Sequence, residues 1–494
     1  MELCSILHFL QNKTILLTGA TGFLAKVLIE KILRVQPEVK KLYLLLRAAD
    51  SVSALHRFNT EVMGKELFKV VKEKYGANLN SLIQEKVTLL AGDITRHNLG
   101  LESSTLEELF GQVDILINLA ASTDFDERYD VALGINTIGP ANVFNFSKKC
   151  SKLRVFLHVS TAYVCGEKEG VVLETPFKLG DTLNGTSGLN IDMEKALVEE
   201  KLEELRTTKA SEKHITSAMR DLGIQRARKY GWPNTYSFTK AMGEMLLGHL
   251  KDDKTPLALV IIRPTIITST FKEPFPGWLE GVRNIDSFIV GYGKGKMTCF
   301  PGCPQSIVDL IPADMVVNAM IVAMAAHADE PIEMIYHVGS SIPNPVSYRC
   351  LQNYGHRFFT ERPWINKDGK AVVVRKGIEL GTVAKVKRYM ELHYLIPLKI
   401  LSIVNIASCQ YFRGTYVDLA RKVKFLMRLV ELFSPYVFFK GVFDDTNTER
   451  LRRWATGENE NENEMLNFDP KSINWDDYFM YTHIAGVVKY AFTR

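Results

Sequence analysis

Short runs of Val, Ile and Leu recur along the first 340 residues of the chain, and turn-forming residues bound each run. The runs lie at residues 14–17, 41–46, 87–90, 115–119, 155–159, 257–262 and 334–338. Most are continuous rather than alternating, which is typical of strands that a parallel sheet buries on both faces. Helical stretches lie between them, so the pattern predicts a doubly wound α/β fold with a parallel sheet.

The spacing of these runs is interrupted once. About ninety residues separate the fifth run from the sixth, and residues 192–230 in that interval are charged and rich in helix-forming residues. A Gly- and Asn-rich segment, LNGTSGLN, precedes them. We therefore predict a helical insertion beside the sheet at about 180–232.

The pattern changes after residue 339, where no run of comparable strength follows. Within residues 415–433, apolar side chains recur at three- and four-residue steps, which predicts an amphipathic helix. These apolar positions are Leu419, Val423, Leu426, Val430 and Phe433. We expect a strand-rich domain at 1–345, a linker at 346–385 and a smaller, mainly helical domain at 386–494.

The composition is that of an average soluble globular protein. The 494 residues are 46% hydrophobic and 24% charged, which excludes disordered chains, collagen-like repeats and disulfide scaffolds. The seven cysteines are few and scattered, which favours a reducing compartment. Cys299 and Cys303 form an isolated C-x-x-x-C pair, so we expect no metal site.

Charge is distributed unevenly along the chain. The formal net charge is +5, yet residues 362–455 contain 18 Lys or Arg and only 8 Asp or Glu. Such a segment is either ordinary solvated surface or a surface for an anionic partner, which could be a membrane, a phosphorylated ligand or nucleic acid. The polar face of the predicted amphipathic helix contributes Arg421, Lys422, Lys424 and Arg428 to it.

Targeting and membrane signals are weak. The first residues, MELCSILHFLQNK, lack a basic segment and contain a short apolar run, so we expect neither a secretory signal nor a plastid transit peptide. The longest apolar stretch, 394–412, is interrupted by Pro397, Lys399, Asn405 and Gln410. A membrane span needs about 20 consecutive apolar residues, so we expect this stretch not to cross a membrane. It can still lie on a membrane surface.

The first apolar run leads into TGATGFLA, which a helical pattern follows. Glycines at 19 and 22 allow a tight turn and a close approach of the backbone to a pyrophosphate, and the helix N-terminus presents N–H groups to the anion. This order of strand, glycine loop and helix is the context of a Rossmann-type dinucleotide site. The predicted cofactor-binding residues here are Thr18, Gly19, Thr21, Gly22, Phe23 and Leu24.

Residues after the next three runs complete the predicted cofactor site. Arg47 follows the second run, where an arginine suits the 2′-phosphate of NADPH better than the ribose hydroxyl of NADH. Asp93 and Ile94 follow the third run, and Asn118 and Ala120 follow the fourth. These turns can border the adenine and ribose, although each alone is equally consistent with a structural role.

The candidate proton donor is Tyr236, in the segment YSFTK. A helix places residues four apart on one face, so the Lys240 ammonium can lie near the phenol and lower its pKa. Two other Tyr-x-x-x-Lys pairs exist. Tyr292 with Lys296 lies among three glycines that argue against a helix, and Tyr436 with Lys440 lies outside the nucleotide domain, so we favour Tyr236.

These residues resemble the extended short-chain dehydrogenase/reductase superfamily, in which a hydroxyl residue, a tyrosine and a lysine form the catalytic triad. The resemblance implies that Thr161, five residues before Gly166, is the hydroxyl member, with Ser160 as the alternative. It also implies that Asn136 supports the lysine through water. One departure is the separation of 75 residues between Thr161 and Tyr236, which the insertion explains.

A narrower resemblance covers nearly the whole chain. It is similar to plant alcohol-forming fatty acyl-CoA reductases in KTILLTGATGFLAKVLIEKILR, FDERYDVALGINTIGP, HVSTAYVCGE, YGWPNTYSFTKAMGE, IIRPTIITSTFKEPFPGW, DLIPADMVVN, FDDTNTERLR and WDDYFMYTH. The resemblance implies an NADPH-binding reductase domain, with Pro264 also near the cofactor, and a C-terminal domain of the male-sterility type. It implies reduction of long-chain or very-long-chain acyl-CoA to a primary alcohol through a retained aldehyde.

The same resemblance implies a role in wax, suberin or related lipid synthesis at the cytosolic face of the endoplasmic reticulum membrane. The partners would be acyl-CoA and, peripherally, a membrane, with no nucleic acid, while the oligomeric state stays open. We expect the basic C-terminal half, including Arg421, Lys422 and Arg428, and the insertion to bind CoA and the acyl chain. Two alternatives stay open: a reductase that stops at the aldehyde or acts on another carbonyl, and a non-catalytic nucleotide-binding membrane adaptor.

Overall fold

The computed structural model describes residues 6–251, 257–456 and 460–492. The strands within these ranges are β1 (Thr14–Thr18), β2 (Lys41–Leu46), β3 (Val87–Ala91), β4 (Ile115–Asn118), β5 (Val155–Val159), β6 (Gly170–Val172), β7 (Ala258–Pro264), β8 (Ile266–Thr268), β9 (Cys299–Pro301), β10 (Ile307–Val308), β11 (Leu310–Pro312), β12 (Glu333–Val338), β13 (Val346–Ser347), β14 (Ile378–Leu380) and β15 (Gly441–Phe443).

The main sheet in the described ranges has seven parallel strands in the order β12-β7-β5-β4-β1-β2-β3. Each predicted apolar run matches one of these strands to within two residues, and the doubly wound α/β prediction is confirmed. Chain order runs outward from β1 on one side and from β4 on the other. In such sheets ligands bind at the carboxyl ends of the strands where the order reverses, which here lies between β1 and β4.

The helices flank this sheet on both faces. They are α1 (Ile6–Phe9), α2 (Phe23–Val35), α3 (Ser51–Arg57), α4 (Lys69–Tyr75), α5 (Leu79–Lys86), α6 (Ser103–Gln112), α7 (Tyr129–Leu133), α8 (Gly139–Ser147), α9 (Ile191–Thr207), α10 (Glu212–Lys229), α11 (Thr235–Leu250), α12 (Asn284–Gly293), α13 (Ala313–His327), α14 (Tyr348–Glu361), α15 (Val383–Met390), α16 (Ile396–Ala407), α17 (Arg413–Val437), α18 (Thr446–Ala455), α19 (Glu460–Met465), α20 (Trp475–Asp477) and α21 (Ile484–Ala491). Short 3₁₀ and π turns connect several of them.

Alternation along the strands divides the apolar core between the two faces of the sheet. In β1, Ile15 and Leu17 belong to the cluster that contains α2 and α13, whereas Leu16 belongs to the cluster that contains α6 and α8. Successive strand side chains point to opposite faces, so a continuous apolar run supplies both clusters at once. This explains why the continuous runs are good predictors of the central strands.

The predicted helical insertion consists of α9 and α10. Its anchor is Glu194, which is buried and accepts hydrogen bonds from Tyr129 Oη at 2.8 Å and from Arg226 Nε at 2.9 Å. A buried carboxylate is stable only when such donors satisfy it. The insertion is therefore fixed to α7, beside the chain that leads from β4.

The C-terminal part of the chain shares the core of the first part. Strand β15 pairs in parallel with β6, and Phe468, Trp475 and Tyr478 belong to the same apolar cluster as α2 and α13. The range predicted as a linker holds α14, whose Phe358 and Phe359 are buried in that cluster. This range is packed rather than extended, because its apolar side chains cover the end of the core.

Helices α15 and α16, joined by a π turn at Glu391–Leu395, form a continuous helical segment on the surface. Among the described residues this segment, Val383–Ala407, is apolar and long enough to cross a membrane by length and composition, and 11% of its most apolar window is buried. The stretch at 394–412 was expected to be too interrupted for a span. The structure differs because the helix begins earlier, at Val383, and continues through Pro397, which lies in the first turn of α16.

Candidate functional site

A cavity of about 770 Å³ lies at the carboxyl ends of β1, β4, β5 and β7. The glycine loop, the end of β5 and α11 form its polar side. Helices α12, α14 and α17 form its apolar side, with Phe288, Tyr292, Leu351, Leu429, Leu432 and Phe433. One side of the cavity thus lies at the strand ends where dinucleotides bind in folds of this kind. The other side is a long apolar space that the C-terminal part of the chain helps to enclose.

Thr161, Tyr236 and Lys240 lie together at the polar side of this cavity. Asn234 caps the N-terminus of α11 by accepting from Ser237 N at 2.9 Å, which sets the start of the helix and the position of Tyr236. The Thr161 side chain lies beside the Tyr236 phenol, and its hydroxyl works to lower the pKa of that phenol. Lys240, one turn further along α11, donates from Nζ to the Val159 carbonyl at 2.8 Å. The three residues are thereby held at one edge of the sheet.

Burial changes the proton affinities of this group. It raises the pKa of Tyr236 to about 12, against the opposing effects of the Thr161 hydroxyl and the Arg283 charge. Burial lowers the pKa of Lys240 to about 8, and Glu244 opposes that shift. At neutral pH the phenol is therefore protonated and the ammonium is charged. A protonated phenol and a charged ammonium thus lie on the same helix, one turn apart, in the cavity wall.

Ser160, the alternative hydroxyl residue, lies in the cavity wall beside Thr161. Its backbone N–H donates to Ile262 O at 2.7 Å, but its Oγ is buried and has no hydrogen-bond partner among the described residues. Buried hydroxyls are normally satisfied by protein or by water. Ser160 can thus still meet a ligand oxygen, whereas Thr161 is the residue that contacts Tyr236.

The glycine loop fits a pyrophosphate. Gly19 has φ +71°, and a Cβ there would stand 2.6 Å from Ala120 N, so only glycine allows the loop to contact the end of β4. Gly22 precedes α2, and no side chain caps that helix. The first N–H groups of α2 are consequently available to an anion. Thr18 supports the loop by donating to Asn118 Oδ1 at 2.6 Å.

The predicted cofactor residues divide into two groups in the structure. Those that line the cavity are Gly22, Phe23, Leu24, Tyr236, Lys240 and Pro264. Those outside its lining are Thr18, Gly19, Thr21, Arg47, Asp93, Ile94, Asn118, Ala120 and Asn136. The second group lies around the ends of β1, β2, β3 and β4 and in the helix after β4. Asp93 makes local turn bonds to Thr95 there, and Ile94 is buried.

Asn136 makes direct hydrogen bonds to Ser122 and Thr239, and its expected support of Lys240 through water stays a prediction. Its Oδ1 accepts from Ser122 N at 3.0 Å, and its Nδ2 donates to Ser122 O at 3.0 Å and to Thr239 Oγ1 at 3.1 Å. These direct bonds join the loop after β4 to α11. They position the residues next to Lys240 rather than Lys240 itself.

A second arginine, which the sequence reasoning missed, lies beside Arg47. Arg57 at the end of α3 donates to the Arg47 carbonyl at 2.7 Å and approaches Thr21 Oγ1 at 3.4 Å. Its guanidinium also pairs with Glu61. Arg47 itself is exposed at the end of β2. The exposed Arg47 therefore remains the arginine that suits a 2′-phosphate, and Arg57 supports the turn that carries it.

Aromatic side chains from two distant segments cover Tyr236. We call Phe125 and Tyr436 the roof. The Phe125 ring stacks on Tyr236 with 5.7 Å between ring centroids and on Tyr436 with 4.8 Å. Tyr436, on α17, also accepts a hydrogen bond from Asn234 Nδ2 at 2.6 Å. The sequence placed Tyr436 outside the nucleotide domain, which suggested that it lies away from the site. The tertiary fold corrects this, because Tyr436 lies in the cavity wall beside Phe125.

Two further expectations need correction, the first of them only in part. Tyr292 lies in helix α12 despite its neighbouring glycines, but the helix ends at Gly293, so Lys296 lies outside it and the two residues share no helix face, as expected. Arg421 and Lys422 are exposed on the first half of α17 and do not line the cavity, since the first residue of α17 in its wall is Phe425. Arg428 does line the cavity, but it is paired with Asp126.

The cavity wall contains two other arginines, Arg220 from α10 and Arg283 before α12. Neither forms an ion pair with a carboxylate among the described residues, and Arg220 Nε is buried without a hydrogen-bond partner there. Arg283 lies over the Phe23 ring at 6.0 Å. These guanidinium groups are thus available to an anionic ligand in the cavity.

Comparison with known proteins gives a consistent result. A family model described as male sterility protein, an NAD-binding domain, matches residues 17–320, and a second model with the same description matches 393–494. The chain is 55% identical over 494 residues to "Alcohol-forming fatty acyl-CoA reductase" of Simmondsia chinensis, which covers 99% of each chain. It is 53% identical to "Fatty acyl-CoA reductase 1" of Arabidopsis thaliana, over 97% of this chain and 98% of the relative.

A solved structure supports the fold. The terminal R domain from the myxalamid PKS-NRPS biosynthetic pathway superposes with a TM-score of 0.56 at 18% identity, over 97% of this chain and 91% of that one. At this identity the likeness concerns the fold alone. It shows that a similar fold, matched over nearly the whole length of both chains, occurs in another protein.

The lowered pKa of Lys240 predicts an alkaline limit for the expected reduction. Below about pH 8 the ammonium is charged and can stabilise the phenolate, and above that pH it loses its proton. We expect kcat/KM to be level near neutrality and to fall as pH rises through about 8. Lys440→Arg, at an exposed lysine paired with Glu169, is the matched control and should leave the profile unchanged. A profile that stays level well beyond that pH would contradict the assignment.

Proposed function

The chain belongs to the fatty acyl-CoA reductase family, and from this premise we propose that it reduces long-chain or very-long-chain fatty acyl-CoA to the primary alcohol with NADPH. The observation that carries the proposal is that Thr161, Tyr236 and Lys240 line the polar side of a large cavity whose other side is apolar. A thioester with a long alkyl chain needs both features. Its carbonyl needs proton donors, and its chain needs a dry channel.

In the first reduction the site must stabilise an oxyanion. NADPH supplies the hydride for each of the two reductions when it is bound. Thr161 and Tyr236 both line the cavity, and we propose that their hydroxyl groups both donate to the oxygen of the thioester carbonyl as its charge develops. Preorganised donors of this kind contribute about 3 kcal/mol each in other enzymes. The resulting hemithioacetal then expels CoA as its thiol and leaves the aldehyde.

In the second reduction Tyr236 donates its proton to the alkoxide that forms from the aldehyde. The nearby Lys240 ammonium stabilises the phenolate until a proton from solvent replaces the one donated. Each alcohol therefore consumes two hydrides and two protons and releases one CoA. Both steps use the same donors, so the aldehyde can react where it is formed.

Residues at the carboxyl ends of β1 and β2 support the choice of NADPH as cofactor. Arg47 is exposed at the end of β2, where an arginine suits the 2′-phosphate, and Arg57 donates to its backbone carbonyl while paired with Glu61. The uncapped N-terminus of α2 supports binding of the pyrophosphate. These residues suit a cofactor with a phosphate on its adenosine ribose.

The two ends of the substrate require opposite surroundings. The apolar wall includes Tyr292, Leu351 and Gly355. Gly355 lies in helix α14 and has no side chain, so it leaves room in the cavity that a larger residue would fill. CoA carries several phosphate charges, and Arg220 and Arg283 are the cavity arginines without carboxylate partners among the described residues. We infer that the acyl chain lies along α12 and α14 and that these arginines attract the CoA.

We further propose that the protein associates with the cytosolic face of the endoplasmic reticulum membrane and serves wax, suberin or related lipid synthesis. The support for membrane association is the surface of α16, where Ile400, Ile403 and Ile406 are each more than half exposed. Contiguous exposed apolar surface of this kind is uncommon on soluble monomers and favours a lipid surface. A substrate and a product that both partition into membranes suit this location.

Product analysis tests the proposed reaction. The purified full-length protein with NADPH and palmitoyl-CoA should yield hexadecanol and consume two NADPH per alcohol. Tyr236→Phe should lower kcat by about 10²-fold or more, because the proton donor is lost. Tyr481→Phe, at an exposed tyrosine, is the matched control and should retain activity.

The same assay separates the alternatives. Free hexadecanal with one NADPH consumed per turnover would identify an aldehyde-forming reductase. Absence of turnover on palmitoyl-CoA and on longer acyl-CoA, with Tyr236→Phe functional in cells, would instead favour a nucleotide-binding membrane adaptor. Either result would contradict the proposal.

Flotation with lipid vesicles tests the proposed membrane contact. The double variant Ile403→Asp/Ile406→Asp places two charges on the exposed face of α16, and it should float less with phosphatidylcholine–phosphatidylserine vesicles than the unaltered protein does. Val373→Asp, at another exposed apolar side chain, is the control and should float normally. Equal flotation of all three proteins would refute a contact through α16.

A further inference from the structure

An ion pair joins α17 to the loop that carries Phe125. Arg428 contacts Asp126 Oδ1 from Nε at 3.1 Å and from Nη2 at 2.6 Å. Asp126 directly follows Phe125, the roof residue that stacks on Tyr236. The same arginine also approaches Asp221 and Glu431. A single guanidinium thus holds the loop after β4, the insertion and α17 in one arrangement.

This pair is more shielded than a typical surface ion pair. The Arg428 side chain is 25% exposed and that of Asp126 is 21% exposed, and both residues line the cavity. Fully exposed pairs contribute little because water screens them, whereas removal of one partner from a shielded pair leaves a charge poorly solvated. The arrangement of the roof therefore depends on this contact more than on the exposed charges elsewhere on α17.

The roof also reaches the catalytic helix by a second route. Asn234 caps α11 with its Oδ1 and donates from Nδ2 to Tyr436 at 2.6 Å. Tyr348 donates to the Tyr436 carbonyl at 3.2 Å, which fixes the end of α17 from the other side. A displacement of α17 would consequently move Tyr436 away from the ring of Phe125 and open the space above Tyr236.

The proposed reaction makes a specific demand on this space. Between the two reductions the spent cofactor must leave and a second NADPH must bind, while the aldehyde waits. The aldehyde is uncharged and no longer carries CoA, so no ionic group holds it. It stays only if the wall opposite the glycine loop remains closed during the exchange of cofactor.

We propose that Asp126 and Arg428 are positioning residues that hold Phe125 and Tyr436 closed over the reaction site, so that the aldehyde is retained until it is reduced to alcohol. This inference rests on the proposed function. Neither residue needs to touch the reacting atoms. Their effect is on where the aldehyde goes, rather than on how fast the thioester is first reduced.

The test measures how the product divides between aldehyde and alcohol. Full-length Asp126→Asn, Arg428→Gln and Arg428→Lys variants would be assayed with NADPH and palmitoyl-CoA, with a hydrazine present to trap aldehyde that escapes. We expect the trapped fraction to rise roughly tenfold in Asp126→Asn and Arg428→Gln. Arg428→Lys keeps a cation near Asp126, so the trapped fraction should rise less in this variant. The trapped fraction is compared at equal NADPH consumption, so a change in the overall rate does not alter the comparison.

Arg421→Gln is the matched control, because Arg421 lies two turns earlier on α17, is exposed and is paired with Asp418. It should retain aldehyde as the unaltered protein does. Variants that consume NADPH but release no extra aldehyde would overturn the inference and leave the proposed function intact. Failure of all three variants to fold would assign the pair to stability and overturn it as well. An unaltered protein without acyl-CoA-dependent NADPH consumption would instead refute the proposed function.

Discussion

The buried ammonium of Lys240 is the group on which the geometry of the site depends. It is 1% exposed, and its Nζ donates to the carbonyl of Val159 at the end of β5. This contact fixes α11 against the sheet, and Tyr236, one turn earlier, consequently meets Thr161. Burial of the charge is costly, as the lowering of the pKa of Lys240 to about 8 shows. The fold tolerates this cost where a charged group is needed next to a phenol.

The C-terminal chain lines the same cavity as Thr161, Tyr236 and Lys240. Helix α17 supplies Tyr436 to the roof and apolar side chains to the cavity wall, and β15 pairs with β6 in the first part of the chain. Oxyanion donors act most strongly where water is excluded. The nucleotide-binding half can position the donors, but it encloses them only together with α17. This gives a physical reason for two family models to occur together in one chain.

The features that could be predicted from the sequence are those that a local pattern of residues determines. Continuous apolar runs predicted the seven strands of the main sheet, and the glycine loop was recognised from its place between a strand and a helix. Tyr436 and Arg57 were missed because their importance comes from contacts with distant residues, to Phe125 and to Arg47. Arg428 was expected to bind CoA, and its ion pair with Asp126 was missed because that partner is 302 residues away in the chain.

The central claim is that both reductions occur at the one group of Thr161, Tyr236 and Lys240. It is tested most directly with NADPH that carries deuterium at only one of the two C4 positions of the nicotinamide. One site holds the cofactor in one orientation, so each labelled isomer should give an alcohol with either two deuterium atoms at C1 or none. Mass spectrometry of the alcohol would show this. An alcohol with predominantly one deuterium atom at C1 would contradict the account.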